Sequence, residues 1–153
     1  MSYEDKIKEQ AQPYLVDGER VLAAFIARPR GATTAGAGGL GPGMAGGRKI
    51  SQQNRAASDA GLQLANPMAL ALTGKRLLVL RVSPPIAMGK GGDVKELVSE
   101  AAVTDVDSIE VKRLLVGKVV TLTVRGTAFK LEVGGGGDAK GLAEEFARVK
   151  AAG

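Results

Sequence analysis

The residues best suited to chemistry are glycines and cations between positions 28 and 49, RPRGATTAGAGGLGPGMAGGRK. This stretch holds two overlapping copies of the pattern G-x-G-x-x-G, at Gly36–Gly41 and Gly41–Gly46. In a dinucleotide site, such glycines form a tight turn directly after a strand and let the backbone approach a pyrophosphate at a helix N-terminus. The pattern alone is a weak signal, because a run with eight glycines in 17 residues produces it by chance.

The context of the glycine run disfavours a nucleotide site. The preceding strand, predicted at 21–28, ends eight residues before Gly36, and Pro42 interrupts the run. No βαβ unit can be assembled from the later part of the chain, although Asp59 lies 18 residues after Gly41. We therefore interpret 29–66 as a long Gly-rich basic insertion in the first hairpin. It is predicted to be flexible, because glycine and alanine bury too little apolar surface to offset chain entropy.

The insertion also carries the positive charge surplus of the chain. From Arg20 to Ser58 there are six basic residues and no acidic one, whereas the remaining charges nearly cancel. Such an arm would give weak, salt-sensitive attraction to an anionic surface. Nucleic acid is disfavoured as a partner, because the one aromatic ring nearby, Phe25, belongs to the strand. The candidate anion-binding residues are Arg28, Arg30, Arg48, Lys49 and Arg55.

Two further groups of residues have the composition of a site. The loop from Met88 to Asp93 could hold an anion on backbone N–H groups beside Lys90, but it is not a P-loop, because no Ser or Thr follows the lysine. A solvated hairpin loop is the better interpretation. A dense set of acids alternates with cations, as on the wet face of an antiparallel sheet, and its spacing matches no metal site. These acids are Glu96, Glu100, Asp105, Asp107 and Glu110.

The amino-acid composition excludes several kinds of functional site. The chain has no cysteine, which excludes disulfides, thiolate chemistry and cysteine-ligated zinc. It also has no histidine, the commonest general base and metal ligand. We therefore expect a protein that is not an enzyme and uses neither a metal nor a cofactor. The charged start, MSYEDKIKEQ, lacks the apolar core of a signal peptide, so we expect a cytoplasmic location.

The elements that must position these residues are mostly strands. A capping box at Ser2 and Asp5 predicts a short helix over about 3–12. Tight turns then separate alternating apolar segments, and such hairpins imply antiparallel pairing. A final helix is predicted after Asp138, with Leu142, Phe146 and Val149 on one apolar stripe. The seven predicted strands are 21–28, 68–73, 76–83, 94–101, 108–114, 119–124 and 128–133.

Three blocks of the sequence resemble bacterial pleckstrin-homology-like domains of the YokE-like kind: LALTGKRLLVLRV, VKELVSEAAVTDVDSIEVKRLLVGKVVTLTVRGTAFKLEV and GLAEEFARV. The resemblance spans about residues 15–150 and implies one domain over 1–153. The implied fold is mainly β: a seven-stranded antiparallel barrel capped by a C-terminal helix, plus a short N-terminal helix. In eukaryotic relatives, basic residues on the first two strands and the loop between them bind phosphoinositides. Arg28 and Arg30 match the first strand, but the second strand, MALALT, has no basic residue.

The resemblance implies a non-enzymatic binding or scaffold module and leaves its partner open. One class of partner is an unidentified protein. A second is another copy of the chain. The apolar segment RLLVGKVV (113–120) is better interpreted as core, and a contact with another copy through it is the alternative. The alternative from a different class is an anionic membrane surface, bound through the basic insertion.

Overall fold

The structure, a computed structural model, describes residues 3–30, 42–84, 90–115 and 117–152. Single 3-10 turns at Gln12–Tyr14 and Val103–Asp105 connect some of the longer elements. The helices are α1 (Tyr3–Gln10), α2 (Pro42–Asp59) and α3 (Ala139–Ala152). The strands are β1 (Val21–Pro29), β2 (Met68–Thr73), β3 (Arg76–Val82), β4 (Val94–Ala102), β5 (Val106–Arg113), β6 (Lys118–Val124) and β7 (Thr127–Gly137).

The seven strands form one antiparallel sheet in the order β4-β3-β2-β1-β7-β6-β5. Tight hairpins join β2 to β3, β5 to β6 and β6 to β7, and β1 pairs with β7 to join the two halves. The predicted fold class, seven antiparallel strands with a short N-terminal and a C-terminal helix, is confirmed. The sheet is not closed, because the outermost strands β4 and β5 do not pair with each other in the described part of the chain.

The inner face of the sheet holds the larger core. As predicted, Val120, Leu122 and Val124 of β6 point inward, as do Phe129 and Leu131 of β7. Helix α3 covers this face with Leu142 and Phe146, both predicted for its apolar stripe. Because β5 lies at the sheet margin, Ile109 meets this helix at the edge of the core.

The outer face of β1, β2 and β3 holds a second core. Helix α1 and the residues that follow it cover this face through Ile7 and Ala11, which are fully buried. For this reason β2, which alternates large and small apolar residues, is buried along both faces. The cluster also contains Ala24, Ile26, Ala69, Ala71, Leu78 and Leu80.

Part of the segment 29–66, which we expected to be a flexible insertion, is helical. It contains the 18-residue helix α2, which packs on β7 and β1. Ala57, Ala60 and Leu62 are buried in the inner core, so small residues let the end of the helix approach the sheet closely. The guanidinium of Arg125 donates to the carbonyl of Ala60 at 2.6 Å, which satisfies a helix-terminal acceptor. Residues 31–41 lie outside the described residues.

Helix α3 begins with a side-chain cap, as the sequence predicts. The Asp138 carboxylate accepts a hydrogen bond from the Gly141 N–H at 2.8 Å. The Asp138 N–H donates to the Ala24 carbonyl at 3.1 Å, which ties the start of the helix to β1.

Replacing Asp138 by alanine is expected to lower the free energy of unfolding by about 1 kcal/mol, because one N–H of the first turn loses its acceptor. Urea denaturation followed by circular dichroism measures this change. Asp138→Asn is the matched control, since its side-chain oxygen still caps the helix. Equal losses in the two variants would contradict a capping role.

Candidate functional site

The predicted anion-binding residues fall on two elements. Arg28 is half-buried on β1, and Arg30 follows the end of that strand. The Arg30 guanidinium lies 3.5 Å from the Glu132 carboxylate, so its charge is partly neutralised within the sheet. Helix α2 carries the other three residues, of which Arg55 is exposed. Binding of an anion by this set stays a prediction.

The two glycine-rich motifs do not have the surroundings of a nucleotide site. β1 and β2, which flank the first glycine run, are antiparallel, whereas a dinucleotide fingerprint requires a parallel βαβ unit. The run itself, Gly36–Gly41, lies outside the described residues. In the second loop, residues 85–89 are likewise outside, and the Lys90 carbonyl accepts a hydrogen bond from the Tyr3 hydroxyl at 2.9 Å.

Four of the five clustered acids are bonded to arginine or backbone. Glu96 pairs with Arg81 at 2.9 Å, Glu100 pairs with Arg76, and Asp105 pairs with Arg125 at 2.9 Å. Asp107 accepts a hydrogen bond from the Gly126 N–H at 2.8 Å. Within the described ranges, no three acidic residues converge on a point where a metal ion could bind.

A buried ion pair stabilises the β2–β3 hairpin. The Arg76 guanidinium donates twice to Glu19, at 3.0 and 2.6 Å, and the Glu19 side chain has no exposed area. The hydrogen bond from Arg76 is the main reason that the pKa of Glu19 falls to about 2. Thr73, fully buried, donates to the same carboxylate at 2.7 Å. Every partner is satisfied, so we assign this cluster to stability.

The two edges of the sheet differ in how they are covered. On β4, the Val94 N–H donates to the side chain of Gln10 at 2.7 Å, and the Lys95 carbonyl accepts from the Tyr14 hydroxyl at 3.4 Å. Side chains from the N-terminal region thus occupy backbone groups of β4. On β5, the hydrogen bonds that the structure describes between a side chain of another element and the strand backbone are confined to the first residue, Val106. A strand edge with unpaired N–H and C=O groups can pair with another chain.

The contact at the start of β5 comes from α3. The Lys150 ammonium donates to the carbonyls of Val103, Thr104 and Val106, at 3.2, 3.4 and 2.6 Å. Its stem passes the Phe146 ring, with the nitrogen 5.9 Å from the ring centroid. This lysine therefore anchors the last turn of α3 to the corner between β4 and β5.

An open groove of about 430 Å³ runs between β5 and α3. Its floor is explained by the sequence of the helix, because Ala143, Ala147 and Ala151 recur every four residues and so share one face. Alanines leave a shallow trough, and the larger Phe146 forms part of its apolar wall. The remaining lining residues are Asp107, Ser108, Ile109 and Lys150.

This groove was not predicted from the sequence. The core stripe of α3, Leu142, Phe146 and Val149, was predicted, but not the alanine stripe one position further round the helix. Alanine at i, i+4 and i+8 beside a core stripe is the signal that was available. The position of β5 at a sheet margin was not available, because strand order depends on the β1–β7 pairing.

The comparison with solved structures finds a DUF1696 family protein with a pleckstrin-homology domain from Shewanella loihica PV-4. The match covers 95% of this chain and 94% of that chain, with 14% sequence identity and a TM-score of 0.45. No protein-family model and no curated protein matches the sequence. The described part of the chain has the order of elements that the sequence resemblance implies, namely seven antiparallel strands followed by a C-terminal helix.

Among the described helices, none combines the length and the apolar character needed to cross a membrane.

Proposed function

We propose that this protein is a non-enzymatic interaction module that binds an extended segment of a protein partner. The partner segment adds as a further strand beside β5 and places apolar side chains in the groove against α3. The observation that carries this proposal is the open apolar groove beside β5; at the opposite edge of the sheet, side chains bond the backbone of the first two residues of β4.

The edge of β5 and the apolar lining of the groove are both suited to an extended peptide segment. In strand addition, main-chain hydrogen bonds supply affinity, and pockets for alternate side chains supply specificity. Successive side chains of a strand point to opposite faces, so every second residue of the partner would face Phe146 and the alanine stripe. The groove volume, about 430 Å³, is within the range of roughly 300–1,000 Å³ found for ligand pockets.

The polar residues of the groove fit binding better than catalysis. The Lys150 ammonium is held by three carbonyl oxygens, and the Asp107 carboxylate accepts a backbone N–H. Both groups therefore have structural partners in place of a reacting substrate. The chain also has no histidine or cysteine to act as a base or nucleophile at neutral pH.

Selection of peptides from a random displayed library, with the full-length protein as target, tests the proposal. We expect the selected peptides to share a segment of about five to ten residues that alternates apolar and polar positions. Titration of ¹⁵N-labelled protein with such a peptide should perturb the amides of β5 and α3. Failure to select any peptide, perturbation confined to other elements, or a concentration-dependent dimer that blocks β5 would contradict the proposal.

A further inference from the structure

The tip of the β5–β6 hairpin exposes a large apolar side chain. The Leu114 N–H donates to the Gly117 carbonyl at 3.0 Å, which closes the hairpin and leaves Leu115 at its turn. The Leu115 side chain is fully exposed, at 107% of its reference area. The one other exposed large apolar residue in the described part of the chain, Val16, shows 52%.

The apolar tip is unusual for a tight turn. Such turns normally carry glycine, asparagine or aspartate, whose conformations match the twist of the strands. The other two tight turns of this sheet, Gly74–Lys75 and Arg125–Gly126, follow that preference. The β5–β6 turn has a glycine of this kind at Gly117, with φ at +80°, and differs by the exposed Leu115 beside it. Leu115 contributes nothing to the core, so its side chain is available for a contact outside the chain.

Cations surround this leucine. Lys112 and Arg113 are exposed at the end of β5, and Lys118 is half-buried at the start of β6. Arg113 and Lys118 are directly opposite each other in the last pair of the hairpin. The sequence has no acidic residue from Val111 to Leu131, so no carboxylate within the hairpin tip offsets these charges.

We propose that this hairpin tip, comprising Lys112, Arg113, Leu115 and Lys118, docks on an anionic lipid bilayer surface. The leucine enters the headgroup region, and the three cations contact lipid phosphates. Membrane-surface binding commonly combines buried apolar area with electrostatic attraction to anionic lipids. The groove lies at residues 107–109, roughly 15 Å or more along β5, so both surfaces can be used at once.

A tryptophan placed at the tip tests insertion directly, because the chain contains no tryptophan of its own. Leu115→Trp should show a blue shift of emission with vesicles of phosphatidylcholine containing roughly 30% phosphatidylglycerol at low salt, and no shift with phosphatidylcholine alone. The shift should shrink when salt is raised, because screening weakens the attraction. Binding to the anionic vesicles without a blue shift would overturn insertion of the tip.

Vesicle sedimentation of substituted proteins shows whether binding depends on the tip or on other parts of the surface. Leu115→Ser should weaken binding about tenfold or more, whereas Val16→Ser, the matched exposed apolar control, should not change it. Changing Lys112, Arg113 and Lys118 together to serine should weaken binding about 100-fold, since each cation near the surface is worth about fivefold. The charge-matched control changes the exposed Lys75, Lys95 and Lys140 to serine.

Three results would overturn the proposal. The first is that the native chain binds neither kind of vesicle at low salt. The second is that the tip variants and their controls lose binding equally, which would indicate general charge attraction. The third is that Leu115→Ser dissociates an oligomer but leaves vesicle binding unchanged, which would assign the tip to contact between copies of the chain.

Discussion

Replacing Arg76 by alanine is expected to lower the free energy of unfolding by about 3–5 kcal/mol, the cost of leaving a buried charge without its partner. The Glu19 carboxylate has no exposed side-chain area and receives two hydrogen bonds from this arginine. The same guanidinium also bonds Glu100 and donates to the Tyr14 carbonyl at 3.0 Å. Its loss would therefore loosen the connection of β3 to β4 and to the segment between α1 and β1.

Urea denaturation measures this effect, and Arg81→Ala is the matched control. Arg81 lies on the same strand and pairs with Glu96 at 2.9 Å, but both side chains are about half exposed, 51% and 56%. Exposed pairs contribute roughly 0–1 kcal/mol, so the control should change little. If the two variants were equally stable, the buried pair would have no special role.

The same ion pair predicts acid sensitivity. The pKa of Glu19 is lowered from 4.5 to about 2 in the folded chain, chiefly by the hydrogen bond from Arg76. Because the folded pKa lies below the unfolded one, the stabilisation is complete above about pH 4.5 and is lost as the pH falls toward 2. Its size is on the order of 3 kcal/mol, since one pKa unit corresponds to about 1.4 kcal/mol. The free energy of unfolding of Glu19→Gln should depend less on pH over this interval, and an unchanged pH dependence would contradict the assignment.

Filling the groove is expected to lower the affinity of a selected peptide about 100-fold, the loss typical when a binding pocket is occupied. Ala147→Phe does this, because Ala147 is exposed in the alanine stripe of α3 and lines the groove. The added ring occupies the space that we assign to partner side chains. Since the site is open to solvent, the substitution should leave the thermal midpoint nearly unchanged.

Isothermal titration of the peptide measures this loss, and Ala128→Phe provides the control. Ala128 is also exposed, but it lies on β7 opposite Thr123, on the outer face of the sheet. That variant should bind the peptide like the native chain. Equal affinity in Ala147→Phe and the native chain would remove the groove from the binding site.

The sheet could be predicted from the sequence because its information is local. Hairpin turns such as Gly74–Lys75 join adjacent strands, and the alternation of β6 and β7 identifies their inner faces. For helix α2 the sequence indicated only a marginal helix or no ordered structure, since its apolar face is weak. Contacts such as Gln53 with Lys130 at 2.6 Å come from distant β7. Small residues give little periodic signal, and only tertiary packing makes them informative.

The candidate site could be predicted from the sequence less well than the sheet, because tertiary structure brings its elements together. The basic residues of the insertion could be identified in the sequence, because charge and glycine content can be counted along the chain. The groove joins β5 to α3, elements separated by about 30 residues of sequence and brought together by the sheet order. The alanine stripe can be found in the sequence of α3, but the free edge of β5 cannot, because its composition does not differ from that of a paired strand.

Pairing of a partner strand with β5 is tested most directly by methylating the backbone nitrogens of a selected peptide, one at a time. In an added strand, alternate N–H groups donate to β5 and the others face away. We therefore expect affinity to alternate along the peptide, with a loss of about tenfold or more at every second nitrogen and little change between. A uniform loss at all positions, or none at any, would contradict strand addition at β5.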